Sequence, residues 1–139
     1  MLNDIFSDTR TLKNGLDASW LRNEVILNNI ANVDTPNYKR SVVSFEDEFK
    51  RALKSSEETP SVGLRKTRRG HRDIGKHSIE DVKASIREDT FTQTRMDGSN
   101  VDMDVETTEL ARNYIYYQTV QNRLNSEYSQ LNMAIKEGR

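Results

Sequence analysis

Two stretches of this chain, one toward each end, carry apolar residues at helical intervals, and the middle does not. In the first, over residues 3–32, Ile5, Phe6, Leu12, Leu16, Trp20, Ile26, Leu27 and Ile30 return at spacings of three, four and seven, which places them on one stripe of a helix roughly eight turns long. So narrow a stripe does not support so long a helix alone, and a partner helix is required. In the second, over residues 104–136, the heptad positions Leu110, Tyr114, Tyr117, Gln121, Leu124, Tyr128, Leu131 and Ile135 are all apolar or aromatic except Gln121. That spacing, held over several heptads, is a coiled-coil seam, with Gln121 as a polar break that fixes register. Each long helix offers a seam the other can fill. Leu16, Trp20, Ile26, Ile30, Leu110, Tyr114, Tyr117, Leu124, Tyr128 and Leu131 are therefore the expected seam and interface residues, with Trp20 as a packing anchor and Tyr116 lying off the main seam. Gly15, within the first helix, weakens it by about 1 kcal/mol relative to alanine without ending it.

The segment between the helices is patterned differently. Ser44 and Asp47 form a capping-box-like start, and Phe45, Phe49 and Leu53 follow on one face of a short helix. From 55 to 77 regular patterning stops, and Pro60, Gly63, Gly70 and Gly75 punctuate a polar, basic stretch that reads as a long loop or linker. Val82, Ala84 and Ile86 alternate as a short strand would, although the same residues can start a helix. Asp97, Gly98, Ser99 and Asn100 mark a turn before the second long helix. The expected fold is mostly α, with the terminal helices paired as a coiled-coil-like bundle and an irregular, partly β middle that carries one short helix. Residues 1–40, 41–100 and 101–139 are its three regions, and the outer two pack together as one discontinuous domain.

The first helix runs into a corner. Pro36 has no amide hydrogen and drives Thr35 out of helical geometry, so the helix is expected to stop near Val33. Asn28, Asn29, Asn32 and Asn37 crowd this exit with side chains that bond readily to nearby backbone.

Composition changes the picture in one respect. Only 34% of the 139 residues are apolar and 31% are charged, so a monomer buries a thin core, and completion of that core by other subunits is the favoured reading. The net charge of −1 hides a basic stretch from 50 to 76, and no cysteine is present for disulfides or thiol chemistry. The start of the chain lacks a basic region followed by a continuous apolar run, so neither a secretory signal peptide nor a membrane span is expected.

Candidate chemistry is sparse. His71 and His77, six apart and without cysteine nearby, fit no zinc motif, and phosphate-cradling glycine loops and nucleophile elbows are missing from the sequence. Neither catalysis, nor a cofactor or metal, nor a small-molecule substrate is expected. The cations Arg65, Lys66, Arg68, Arg69 and Arg72 raise a rival reading, a basic coiled-coil protein that binds nucleic acid, but no aromatic residues interleave them to stack on bases.

The residues Ala31, Asn32, Thr35, Pro36, Tyr38 and Lys39 resemble the Ala-Asn-x-x-Thr-Pro-x-Tyr-Lys signature of bacterial flagellar axial proteins, the rod, hook and hook-associated subunits. The stretch 97–106, together with Glu109, Leu110, Ala111, Arg112, Asn113, Tyr117 and Gln118, is similar to the short proximal-rod members. Asn37 stands where glycine is usual, at a turn that favours a left-handed backbone. The resemblance covers residues 10–54 and 90–137. It implies a structural subunit of the basal-body rod, the periplasmic drive shaft of motility, that is exported without signal cleavage by the flagellar type III apparatus. It also implies partners: other copies of the chain, other rod proteins, the membrane ring and the adaptor that joins the rod to it. Another short rod-class protein is the alternative within the family. Residues 31–40 would set the exit direction of the chain and touch neighbours.

Overall fold

The structure is a computed structural model that describes residues 2–57, 82–90 and 96–137. In chain order it comprises helix α1 (Leu2–Ala31), strand β1 (Ser41–Ser44), helix α2 (Glu46–Glu57), strand β2 (Ser85–Glu88) and helix α3 (Met103–Glu137). The expected fold class is the observed one: mostly α, with long terminal helices packed together and a short helix between them. The basic run at 65–72, His71, His77, Pro60 and the loop glycines lie outside the described residues, as do the side chains of Ile5 and Phe6.

The two long helices run antiparallel. Asn29 meets Glu106, Ser19 meets Asn113 and Gly15 meets Tyr116, so numbers fall along α1 as they rise along α3. Helix α3 starts on Asp102, whose carboxylate accepts the amides of Asp104 at 2.9 Å and Val105 at 3.4 Å and so caps the helix at its positive end. Helix α1 closes at Ala31, short of Val33. Asn32 is the reason: its Nδ2 donates to the Asn28 carbonyl at 2.8 Å, and its amide is shared between the carbonyls of Asn28 and Asn29, which tightens the last turn before Pro36 is reached.

The seam of α3 is out of phase with the heptad expected from apolar positions. Leu110, Tyr117, Leu124 and Leu131 are half-buried, but the positions between them that turn inward are Asn113, Val120 and Glu127. Tyr114 (62% exposed), Tyr128 (48%) and Ile135 (73%) face outward, and Gln121 is exposed as well. On α1, Ile26 is buried and Leu16 and Ile30 are half-buried, whereas Trp20, the expected packing anchor, is 66% exposed. The physical reason is polar. Asn113 is held inward by donating to the Ser19 carbonyl at 2.9 Å, and that bond turns its neighbour Tyr114 away from α1.

In the middle region β1 pairs antiparallel with β2, from Ser41 opposite Glu88 to Ser44 opposite Ser85. Strand β1 was not anticipated; Val42 and Val43 are its β-branched signal. The short strand expected somewhere in 82–94 is β2, although of the alternating residues only Ile86 lies in it. Val82 and Ala84 instead pack into a cluster with Ala18, Phe45, Phe49 and Ala52, while Ile86 is exposed on β2. The rings of Phe45 and Phe49 stack with centroids 5.7 Å apart. The expected cap at Ser44 does not form: strand pairing takes its backbone, its hydroxyl is buried without a partner, and α2 begins only at Glu46. Helix α2 also runs on to Glu57, past the point where patterning stops in the sequence.

Helix α2 is tied to α1 by Arg22, which meets the Glu46 carboxylate at 2.5 Å. Burial raises the Glu46 pKa, but the hydrogen bond and charge of Arg22, with hydrogen bonds from the backbone at Glu46 and Phe45, together outweigh it and hold the carboxyl below the ordinary glutamate range. Because the folded pKa is depressed, this stabilisation is present above the unfolded value and is lost as pH falls below about 4.3. Glu46 is half exposed, so Glu46→Gln is expected to remove less than ~1 kcal/mol at pH 7 and less still at pH 3, read from urea unfolding at both values. Gly15 is a second test. A Cβ there would sit 3.4 Å from the Tyr116 hydroxyl, an ordinary contact, so Gly15→Ala is expected to stabilise the chain by up to ~1 kcal/mol through helix propensity, raising Tm.

Candidate functional site

The segment 31–40 and the segment 97–106, far apart in sequence, dock against each other at one end of the helical pair. The first leaves α1 through a tight turn in which the Tyr38 amide donates to the Thr35 carbonyl at 3.3 Å. Pro36 occupies the second position of this turn, suited to its fixed φ. Asn37 occupies the third with φ 59°, the left-handed conformation that favours glycine or asparagine. The second segment turns at Gly98, φ 81°. A Cβ on Gly98 would lie 2.5 Å from the Asn37 side-chain oxygen, so any larger residue would push that amide aside as well as strain the left-handed backbone.

Polar bonds then join the two. The Asn37 amide donates to the Asp97 carbonyl at 3.1 Å and Lys39 Nζ to the Gly98 carbonyl at 2.8 Å. The Arg40 amide donates to Asn100 Oδ1 at 2.6 Å, and Asn100 Nδ2 donates in turn to the Asp89 carbonyl at 2.7 Å. Ser99, Asn100 and Val101 are buried beneath these contacts.

At the centre lies Glu106, fully buried in the first turn of α3. One carboxylate oxygen accepts from Arg40 Nε, and the other accepts from Asn29 Nδ2 at 3.2 Å. Asn29, also fully buried, uses the rest of its amide on the start of β1: Nδ2 donates to the Ser41 carbonyl at 2.9 Å, and Oδ1 accepts the Ser41 amide at 3.0 Å and the Tyr38 hydroxyl at 3.5 Å. A side chain thus mimics a strand, and it binds α1, the corner and α3 to one another.

The signature residues divide into two groups. Tyr38 and Lys39 are half-buried and hold the junction, and Asn32 closes the helix, whereas Ala31, Thr35 and Pro36 are exposed and face away from the subunit. Gly98 and Glu106 lie within the 97–106 stretch, Arg40 follows the signature and Asn29 is among the asparagines at the helix exit, but none of the four was singled out as a site residue. A weak helix former at 29 and a carboxylate placed one helical turn before Leu110 were their available signals. Among the described residues no group of three or more histidine, cysteine or acidic side chains could hold a metal ion, and no helix is long and apolar enough to cross a membrane. The arrangement does positional work: it fixes a direction and a surface.

A family model described as flagella basal body rod protein matches residues 10–39. The chain is 37% identical to the flagellar basal body rod protein FlgB of Bacillus subtilis (strain 168), over 97% of this chain and 98% of that one. It is 39% identical to FlgB of Borrelia hermsii over 87% of this chain and 90% of that one. To FlgB of Escherichia coli (strain K12) it is 29% identical over 99% of both.

The buried pair yields a quantitative test. Arg40→Met leaves Glu106 buried with its charge uncompensated, so a loss of about 3–5 kcal/mol is expected in urea unfolding. Adding Glu106→Gln removes that charge and is expected to return roughly 1–3 kcal/mol. Strictly additive losses would show that the two side chains do not act as a pair.

Proposed function

The chain belongs to the FlgB family of flagellar basal body rod proteins, and on that premise we propose how it works as a structural subunit of the proximal rod: by presenting outward-facing seams that neighbouring subunits cover. The observation that carries this reading is the contrast between the two sides of the helical pair. Inside, Glu106, Asn29 and Arg40 fix the geometry. Outside, Trp20, Tyr114, Ile115, Tyr128 and Ile135 stay exposed along the two long helices, large apolar side chains that neighbouring copies could cover. Stacking of subunits in a helical array would bury it, so that assembly completes the core.

The exposed half of the signature, Ala31, Thr35 and Pro36, would touch neighbours at the corner. Partners on this reading are other copies, other rod proteins, and the membrane ring with its adaptor; delivery is by the flagellar type III apparatus without signal cleavage, and the location is the periplasmic part of the basal body. The role is mechanical, with no catalysis, cofactor, substrate or nucleic acid.

Deleting the gene is expected to abolish swimming and to remove rods from basal bodies viewed by electron microscopy, with both restored by the wild-type copy. A copy carrying Tyr128→Asp and Ile135→Asp is expected to keep its helical circular dichroism and thermal unfolding yet fail to restore swimming. Intact rods in the deletion strain would refute the proposal.

A further inference from the structure

The two long helices share a face on which neither presents a charge. On α3, steps of three, four and seven lead through Met103, Leu110, Tyr114, Tyr117, Gln121 and Tyr128, which keep to one side of the helix. On α1 the line Leu16, Trp20, Asn23 and Leu27 is likewise uncharged. The exposed charges of these helices, among them Asp17 and Glu24 on α1 and Asp104, Arg112 and Arg123 on α3, lie outside both lines. Between the lines opens a notch of about 220 Å³, with Trp20 and Asn23 on one wall and Tyr114 and Tyr117 on the other, to which the middle region contributes no described residue. Helix α2 instead sits on another side of the pair, against Gly15, Tyr116 and Val120.

In a chain with 31% charged residues, a strip without charge that holds a tryptophan, several tyrosines and a methionine has the composition of an interface core. It also favours one occupant. Such a strip meets its own copy without bringing like charges together. The exposed rings of Trp20, Tyr114 and Tyr128, with Leu27, offer on the order of 500 Å² per copy, so two facing copies cover about 1,000 Å², the lower bound of a stable interface. The notch is wide enough for an aromatic ring, and each face has rings to supply. Two hairpins opposed in this way form a four-helix bundle, in which both flanks of a heptad stripe are buried. That arrangement accounts for the phase of the α3 heptad, which points partly to α1 and partly to this face.

We propose that the free chain pairs with a second copy through this face as a two-fold dimer, with Trp20 and Tyr114 of each copy in the shared core. A two-fold contact uses the same patch on both subunits and closes on itself. Pairing therefore holds the chain in a form that does not polymerise, and the copies must part before the face turns to other neighbours. The inference concerns the free chain and stands or falls separately from the rod-subunit reading.

The test is the mass of the purified full-length chain, measured by light scattering and sedimentation at micromolar concentrations. The expected value is twice the 16.1 kDa of one copy, falling on dilution. The emission of the single tryptophan is expected to move to longer wavelength over the same dilution, as Trp20 returns to water. Tyr114→Glu is expected to raise the dimer Kd by about tenfold or more. Ile115→Glu changes a similarly exposed neighbour that is turned away from this face, and is expected to leave the dimer intact, with helical circular dichroism preserved in both variants. A wild-type chain that stays monomeric, one that forms polymers without a defined dimer, or an Ile115→Glu effect as large as that of Tyr114→Glu would overturn the proposal. Each of these leaves the rod-subunit reading in place, which the gene deletion decides.

Discussion

A buried carboxylate is tolerated only when its oxygens find donors, and Glu106 sets that condition on its whole neighbourhood. Its two oxygens need Arg40 and Asn29. Arg40 reaches it only if the chain reverses after α1, and Asn29 is in position only if α1 and α3 hold one axial register. The turn at Pro36 and Asn37, the glycine at 98 and the strand start at Ser41 all serve that meeting. Replacing the cluster by apolar side chains of similar volume would not obviously weaken the fold, since buried ion pairs are costly to desolvate. What such a replacement would lose is uniqueness, because apolar surfaces slide past one another and hydrogen-bonded amides do not.

The economy of the fold follows from how little it buries. The enclosed apolar residues are mostly small: Ala18, Val25, Val43, Ala52, Val82 and Val101, with Ile26 and Phe45 the larger ones. Much of the aromatic surface of α3 is left outside. A chain of this composition satisfies its internal geometry with polar bonds and reserves its large side chains for surfaces it does not itself cover.

Much of this was legible in the sequence. Period and length announced both terminal helices, Pro36 and the asparagines announced the corner, and the turn at Gly98 was visible in its residue types. The heptad on α3 was misphased because the large rings of Tyr114 and Tyr128 suit a seam as readily as a surface, while the residue that turns inward, Asn113, looks like a surface amide until Ser19 is seen opposite it. Trp20 was read as a packing anchor from its ring and its place on the stripe four residues after Leu16, yet it is 66% exposed. Strand β1 escaped notice because its partner lies some forty positions away and a four-residue strand has no periodicity of its own. Glu106 was unreadable for a related reason: one acidic residue near a helix start is normally a solvated, dipole-favoured charge, and only the fold brings Arg40 and Asn29 to it.

Two polar contacts between the long helices, Asn29 with Glu106 and Asn113 with Ser19, stand more than two helical turns apart along α1. A purely greasy hairpin under load would creep by one heptad at a time, each slip replacing one apolar contact with another of similar energy. Two separated pins forbid that, since any slip strands an amide and a carboxylate at once. The hairpin therefore resists shear along its axis as a stiff strut, its length fixed by two bonds rather than by the fit of its apolar faces.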